Sequence, residues 1–261
     1  MLFEEERKQK IVDYIQTHKR ASVQELAQSF GVSESTVRRD LKGLEEAGEL
    51  RRTHGGAVAF RDDNAEPPFS EKEDRYRAQK EAVAKAAVAT VRDGDSLLLD
   101  SGTTTFYVAK LLKGFSRLTV VTNSLMAAEE LAGRKEIELI LTGGILRQET
   151  LAMVGPLAEK AIAAIRVNKA FMATNGLDIN AGLTTPNMVE AAVKKQMILS
   201  AAHVTLLADH SKFGTVSFAK VADLSEIDQV IVDDGLSSGA ARQLEEAGID
   251  VTLTRAGSDE A

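Results

Sequence analysis

The 261-residue chain has no cysteine and no tryptophan, and only four prolines and four histidines. Without thiols, disulfide frameworks, zinc–thiolate centres and cysteine nucleophiles are excluded. Four histidines are a thin basis for an imidazole metal site, and the sequence carries no other sign of a metal or an organic cofactor. No run of about 18 apolar residues is available to cross a bilayer as a helix. The opening Met1-Leu2-Phe3-Glu4-Glu5-Glu6 lacks the basic start and apolar core of a secretory leader, so a cytoplasmic protein without a membrane partner is expected. Internal repeats and low-complexity tracts are absent as well.

What is present is an ordinary globular composition, 44% apolar and 27% charged, in a chain long enough for two unequal domains. The net charge of −7 is unevenly spread. Residues 1–58 hold ten basic and ten acidic residues, and the remainder holds 22 basic against 29 acidic. Within the first segment the basic residues gather at Arg38, Arg39, Lys42, Arg51 and Arg52, away from Glu4, Glu5 and Glu6. A basic face on a neutral domain is what nucleic-acid affinity needs, because phosphates respond to local positive charge.

Ile11, Val12, Tyr14 and Ile15 recur at helical spacing and predict a helix over 6–17. Ser22 with Glu25 three residues on forms a capping box for a second helix that buries Leu26, Ala27 and Phe30 and ends at Gly31. Ser33 caps a third helix, from Glu34 to about Ala47, with the buried stripe Val37, Leu41 and Leu44. Leu50 to Phe60, with Gly55-Gly56 at its middle, reads as a hairpin wing. The expected organisation is a winged helix-turn-helix over 1–58, a polar, proline-bearing linker over 59–72, and an α/β domain over 73–261. In that last part an Ala-rich helix to about Arg92 precedes Ser96 to Asp100. Apolar runs then follow at 118–121, 137–141, 169–173, 203–208, 229–232 and 249–253, most of them separated by helical stretches. This alternation predicts a mostly parallel, Rossmann-like sheet with helices on both faces.

The third helix suits a major-groove reader. Ser33, Ser35 and Thr36 offer short hydroxyls for phosphates or bases, and Arg38, Arg39 and Lys42 follow on the same helix. Arg51, Arg52 and His54 place the wing against the backbone or an adjacent groove. A lone Arg-Arg pair would read as a solvated helix face; the ordered combination does not. The run Ser33-Glu34-Ser35-Thr36-Val37-Arg38-Arg39-Asp40-Leu41, then Leu44-Glu45, then Arg51-Arg52-Thr53-His54-Gly55-Gly56-Ala57 resembles the signature of DeoR-type sugar-metabolism repressors.

In the larger domain, Asp100-Ser101-Gly102-Thr103-Thr104-Thr105 links a strand to a helix N-terminus and can cradle a phosphate. Thr122-Asn123-Ser124, Thr142-Gly143-Gly144 and Thr174-Asn175-Gly176 end later strands in the same manner. Each alone reads as a helix cap or turn; four together at one sheet edge predict a polar ligand pocket. These segments, with Gly182-Leu183-Thr184-Thr185-Pro186, Glu190 and Asp209 to Gly214, resemble the effector domain of the same family. Glu66-Pro67-Pro68-Phe69 fits the resemblance too, and Arg77 and Lys80 match it loosely. The resemblance implies a fold like that of ribose-5-phosphate isomerases and a phosphorylated sugar as effector. The Thr174-Asn175-Gly176 and Gly182 to Pro186 segments resemble the fructose-operon members of the family, which implies fructose 1-phosphate as the first effector to expect, and the family resemblance implies release of DNA on binding it.

Glu190 and Lys194, four residues apart, read equally as a surface ion pair and as sugar ligands, and Lys212 reads as a phosphate contact or as a partner of Asp209. Two other functions stay open at this stage. An isomerase carrying a DNA-binding appendage would draw its base from Asp100, Asp178, Glu190 or Asp209, and an architectural DNA binder would use no small molecule. The leading expectation is a non-enzymatic repressor that binds double-stranded operator DNA as a homodimer or homotetramer, because a neutral reading head binds weakly alone.

Overall fold

A computed structural model describes residues 4–18, 20–53, 55–59 and 66–257. The chain divides between Ala65 and Glu66 into two compact units.

The first unit runs α1 (Glu4–His18), β1 (Arg20–Ser22), α2 (Val23–Phe30), α3 (Glu34–Glu46), β2 (Leu50–Thr53) and β3 (Gly56–Ala59). Ile11, Val12 and Ile15 of α1 meet Leu26 of α2 and Val37, Leu41 and Leu44 of α3 in one core, closed by Leu50 and Ala57 from the hairpin. Ser22 and Glu25 form the capping box, and Gly31 ends α2 at φ 63°. The Ser33 hydroxyl accepts the Thr36 N–H at 3.2 Å and so starts α3. Strand β1, three residues with no alternation to signal it, pairs with β3 and makes the wing a three-stranded sheet of order β1-β3-β2. Asp40, fully buried on α3, accepts from Arg7 Nε at 2.6 Å and ties α3 to α1.

The second unit runs α4 (Phe69–Asp74), α5 (Arg77–Ala89), β4 (Ser96–Leu99), α6 (Thr103–Leu111), β5 (Leu118–Thr122), α7 (Leu125–Leu131) and β6 (Ile137–Leu141). After these come β7 (Ile145–Arg147), β8 (Ala152–Val154), α8 (Pro156–Ala163), β9 (Val167–Met172), β10 (Gly176–Asp178), β11 (Gly182–Thr185) and α9 (Met188–Leu199). Last are β12 (Ala201–Ala208), β13 (Ala219–Ala222), β14 (Gln229–Asp233), α10 (Ser238–Glu246) and β15 (Asp250–Thr254).

Seven of these strands form one parallel sheet of order β15-β14-β12-β9-β4-β5-β6. Strand residues alternate between its two faces. Leu98, Met172, Leu206 and Val230 pack with α8, α9 and α10, while Leu97, Leu99, Phe171, Leu207 and Ile231 pack with α5, α6 and α7. From β4 the chain moves one way to β5 and β6, and then returns to lay β9, β12, β14 and β15 on the other side. The order therefore reverses between β4 and β9, and in open α/β sheets the ligand crevice lies at the carboxyl ends of the strands flanking such a reversal.

Three details depart from the sequence expectation. The single Ala-rich helix is two, α4 and α5, broken where Tyr76 takes a left-handed φ of 56°. Two short antiparallel assemblies, the β7-β8 hairpin and the sheet β10-β11-β13, lack the apolar runs that betray core strands. Phe69 and the side chain of Glu66, read as linker, are buried in the larger unit: the Phe69 ring lies 5.6 Å from that of Phe106, and its N–H donates to the Glu149 carbonyl at 2.8 Å.

Candidate functional site

Two regions collect the residues singled out by sequence. On the first unit, α3 carries its hydroxyls and cations outward while Val37, Asp40, Leu41 and Leu44 face the core. Ser33 Oγ lies 2.8 Å from Ser35 Oγ and 2.9 Å from Thr36 Oγ1, a hydroxyl cluster at the helix start. Arg38 is exposed and pairs with Glu34 at 2.9 Å, Lys42 with Glu46 at 3.8 Å, and Arg52 with Glu45 at 3.7 Å. Such exposed pairs are worth about 0.3–0.5 kcal/mol each and yield readily to phosphate. Arg39 is exposed too. Arg51 lies on β2, and His54 falls outside the described residues.

On the second unit, buried charge gathers at the carboxyl ends of the strands flanking the sheet reversal. Asp100, immediately after β4, is fully buried; its carboxylate accepts the Ser101 N–H at 2.8 Å and the Ala173 N–H, beyond β9, at 3.0 Å. It also pairs with Lys194 of α9, whose ammonium donates to the Ala173 carbonyl at 3.1 Å. Gly102 stands where a Cβ would come within 2.5 Å of the Ala173 side chain, so only glycine lets the turn close on β9. Gly102 brings no capping side chain to α6, which leaves the first N–H groups of that helix for a ligand. Thr103 and Thr104 are buried in the same turn; Thr105 spends its hydroxyl on the Asp100 carbonyl at 2.7 Å, and Ser101 Oγ is buried without a partner.

Glu190 and Lys194 are both buried, which overturns the surface-pair reading. Glu190 pairs instead with Arg147 at 2.8 Å. Burial pushes its carboxyl above the usual range, against the attraction of Lys194. Arg147 also reaches Glu66 at 3.3 Å, and Glu66 accepts from Lys72 at 2.8 Å and from Asn175 Nδ2 at 2.9 Å. Asn175 in turn accepts the Thr185 hydroxyl at 3.0 Å.

Next to this lies an excess of positive charge. Lys80 is buried, and burial together with the neighbouring Lys212, Lys72 and Arg75 pulls it down to about 8 although Asp209 opposes the shift. Burial lowers Lys212 also, against the attraction of Asp209. Asp209 gives its carboxylate to the Ser211 N–H and hydroxyl, and among the described residues the Lys212 ammonium forms no ion pair.

The remaining strand-end residues also make local bonds and turns of the fold. Thr122 donates to the Leu99 carbonyl at 2.8 Å, and Ser124 caps α7. Asn123 donates to the Met153 carbonyl at 3.3 Å while its Oδ1 is buried without a partner. Gly143 and Gly144 turn the chain at φ 67° and 118°, and Gly176 leaves room for the Thr215 carbonyl. Sequence reading singled out neither Glu66, Lys72 nor Arg147 as a site residue. Glu66 carried one signal, a carboxylate fixed beside Pro67-Pro68-Phe69; Arg147 carried none.

Two family profiles match the chain, the DeoR-like helix-turn-helix domain over residues 7–62 and the DeoR C terminal sensor domain over residues 75–234. The chain belongs to the DeoR family. It is a transcriptional regulator with a DNA-binding head and a sensor domain. It is 40% identical to the HTH-type transcriptional regulator GlpR of Haloferax volcanii, over 94% of this chain and 96% of that one. It is 39% identical to an uncharacterised HTH-type transcriptional regulator named FruR of Bacillus subtilis, over 87% and 90% of the two chains. Among solved structures, ribose 5-phosphate isomerase A of Methanocaldococcus jannaschii matches at 19% identity and a TM-score of 0.39, over 53% of this chain and 55% of that one.

Proposed function

We propose that this DeoR-family regulator represses a carbohydrate-utilisation operon and releases its operator when a phosphorylated sugar enters the crevice at the β4–β9 reversal. The observation that carries the reading is the cationic group of Lys80 and Lys212 around Asp209, at the carboxyl end of β12, together with the uncapped start of α6 at the carboxyl end of β4. Burial, more than the neighbouring cations, pulls Lys80 down to about 8, and a dianionic phosphate beside it would stabilise the charged form that burial disfavours. Asp100, Asn175 and Glu190 supply polar atoms for sugar hydroxyls. Fructose 1-phosphate is the first candidate, supported by the Asn175-Gly176 and Gly182 to Pro186 segments and by the name of the FruR relative.

On the DNA side, Ser33 at the cap of α3 and Ser35, Thr36, Arg38, Arg39 and Lys42 along it contact bases or phosphates of the major groove, and Arg51, Arg52 and His54 set the wing against the adjacent backbone or groove. Because residues 1–58 carry ten acidic residues against ten basic ones, one head gains little alone. Two or four copies acting on paired half-sites supply the missing affinity through effective concentration.

The test is fluorescence anisotropy of DNA from the gene's own upstream region, titrated with phosphorylated sugars beside their unphosphorylated forms. Release by a phosphorylated sugar alone supports the reading. Tight operator binding indifferent to every sugar phosphate sinks the sensor half and leaves the DNA-reading half standing.

A further inference from the structure

We propose that Glu66 is an internal anion occupying part of the effector crevice, and that its displacement by the effector carries the binding signal into the segment leading back to the DNA-reading unit. The inference rests on the sugar-phosphate reading above and adds the residue that transmits it.

Glu66 is the first residue of the sensor unit, the point where the chain arrives from the DNA-binding head. A residue in such a place has no need of burial, and burying a carboxylate is unfavourable unless donors replace its water. Its side chain is nonetheless only 4% exposed. Three donors from three separate elements hold it: Lys72 of α4 at 2.8 Å, Asn175 beyond β9 at 2.9 Å and Arg147 of β7 at 3.3 Å. Burial alone would raise its carboxyl, and the charge of Lys72, with these hydrogen bonds, holds it below the ordinary range, so it is an anion at neutral pH.

The same donors are the groups that an entering anion would recruit. Lys72 belongs to the cationic excess around Lys80 and Lys212. Arg147 is divided between Glu66 and Glu190, so one guanidinium already serves two buried carboxylates. A ligand phosphate, with more charge and more acceptor oxygens than a carboxylate, competes for these donors on favourable terms.

The local chain turns this competition into movement on one side only. Phe69 is pinned by its ring against Phe106 and by its N–H on the Glu149 carbonyl. Between Glu66 and Phe69 stand Pro67 and Pro68, whose rings fix φ near −65° and remove two donors. A displaced Glu66 therefore swings about a stiff tether, and the motion goes upstream rather than into α4. Operator-competent and operator-incompetent states then differ in whether Glu66 or the effector holds Lys72 and Arg147, which is the differential interaction that allosteric coupling requires.

The experiment measures the Kd of fructose 1-phosphate by titration calorimetry on the full chain, free and saturated with operator DNA, for the wild type, Glu66→Gln, Glu66→Asp and Glu149→Gln. Glycerol 3-phosphate and fructose 6-phosphate are carried alongside. Linkage requires operator to weaken effector binding by the factor that effector weakens operator binding, about 5- to 150-fold for typical allosteric couplings. In Glu66→Gln the expected ratio falls to within about twofold of one, because the competing charge is gone, and the Kd on free protein tightens several-fold. Glu66→Asp, which keeps the charge but draws it back by one methylene, gives an intermediate ratio. Glu149→Gln removes an exposed carboxylate 3.5 Å from the same Arg147 and keeps the wild-type ratio. The proposal is overturned if Glu66→Gln binds effector with an unchanged ratio, or if it loses effector binding altogether, which would make Glu66 a ligand contact. Failure of every sugar phosphate on the wild type removes the sensor reading itself, and that result is visible before any variant is made.

Discussion

Lys80 gives the sensor reading a pH signature. In the free protein its ammonium is drawn down to about 8 from the ordinary lysine value of 10.5. A phosphate beside it favours the charged form and returns it towards that ordinary value. The sign then follows from linkage. At about pH 7 Lys80 is protonated in both states and binding moves no proton, whereas near pH 8 it is half protonated when free and fully so when bound, so each binding event takes up about half a proton. By about pH 9 most free protein must first be protonated, and the Kd for the sugar phosphate rises about tenfold relative to pH 7. Because a phosphate monoester loses its second proton near pH 6, the ligand's own charge is constant across this window. Lys212, lowered by burial as well, adds to the effect in the same direction. Calorimetry of effector binding in buffers of different ionisation heat reads both the Kd and the proton uptake. Lys80→Met should bind more weakly and lose most of the pH dependence. A wild-type Kd that is flat from about pH 7 to 9, with no proton taken up, would separate Lys80 from the phosphate and remove the main support for the site's location.

Other expectations follow from the same geometry. Arg39→Ala or Arg38→Ala should weaken operator binding by about 1–3 kcal/mol if the side chain reads a base, and leave effector affinity unchanged; full operator affinity in both variants, measured by anisotropy, contradicts the recognition-helix assignment. Gly102→Ala drives a methyl to 2.5 Å from the Ala173 side chain and should abolish effector binding through the opened turn, while Thr104→Asp should abolish it by repelling the phosphate; a normal calorimetric titration of either variant would take this turn out of the pocket. Lys194→Met leaves Asp100 charged and buried without its partner, a loss of about 3–5 kcal/mol that Asp100→Asn added to it should largely restore; urea melts of the single and double variants decide this, and equal losses in the two would mean that Lys194 acts by packing rather than charge.

What could be read from the sequence was local. The capping box of Ser22 and Glu25, the Ser33 cap and the stripe Val37, Leu41, Leu44 fit because each signal and its partner lie within one helical turn or face of the other. The inner parallel strands were visible as apolar runs because helices cover both of their faces, whereas the edge strands β6 and β15 keep enough apolar residues to be seen although much of their surface is exposed. Strands β1, β7, β8, β10, β11 and β13 escaped for the complementary reason: at three or four residues each they are too short for any periodicity to mark them. The crevice was half legible. Asp100 and Gly102 sit in a strand-to-helix turn whose chemistry is evident from six consecutive residues. The network that unites Glu66, Arg147 and Glu190 spans separations of 81 and 43 residues, and its partners meet only once the strand order has reversed between β4 and β9. Charge shows the same limit. Glu190 and Lys194 look like a helical pair, and α9 does place them on one face, but burial sends one to Arg147 and the other to Asp100. Spacing tells which side chains share a face. Which partners a buried charge then takes depends on what the rest of the fold brings to that face, because a buried ion is stable only where several donors or acceptors converge on it.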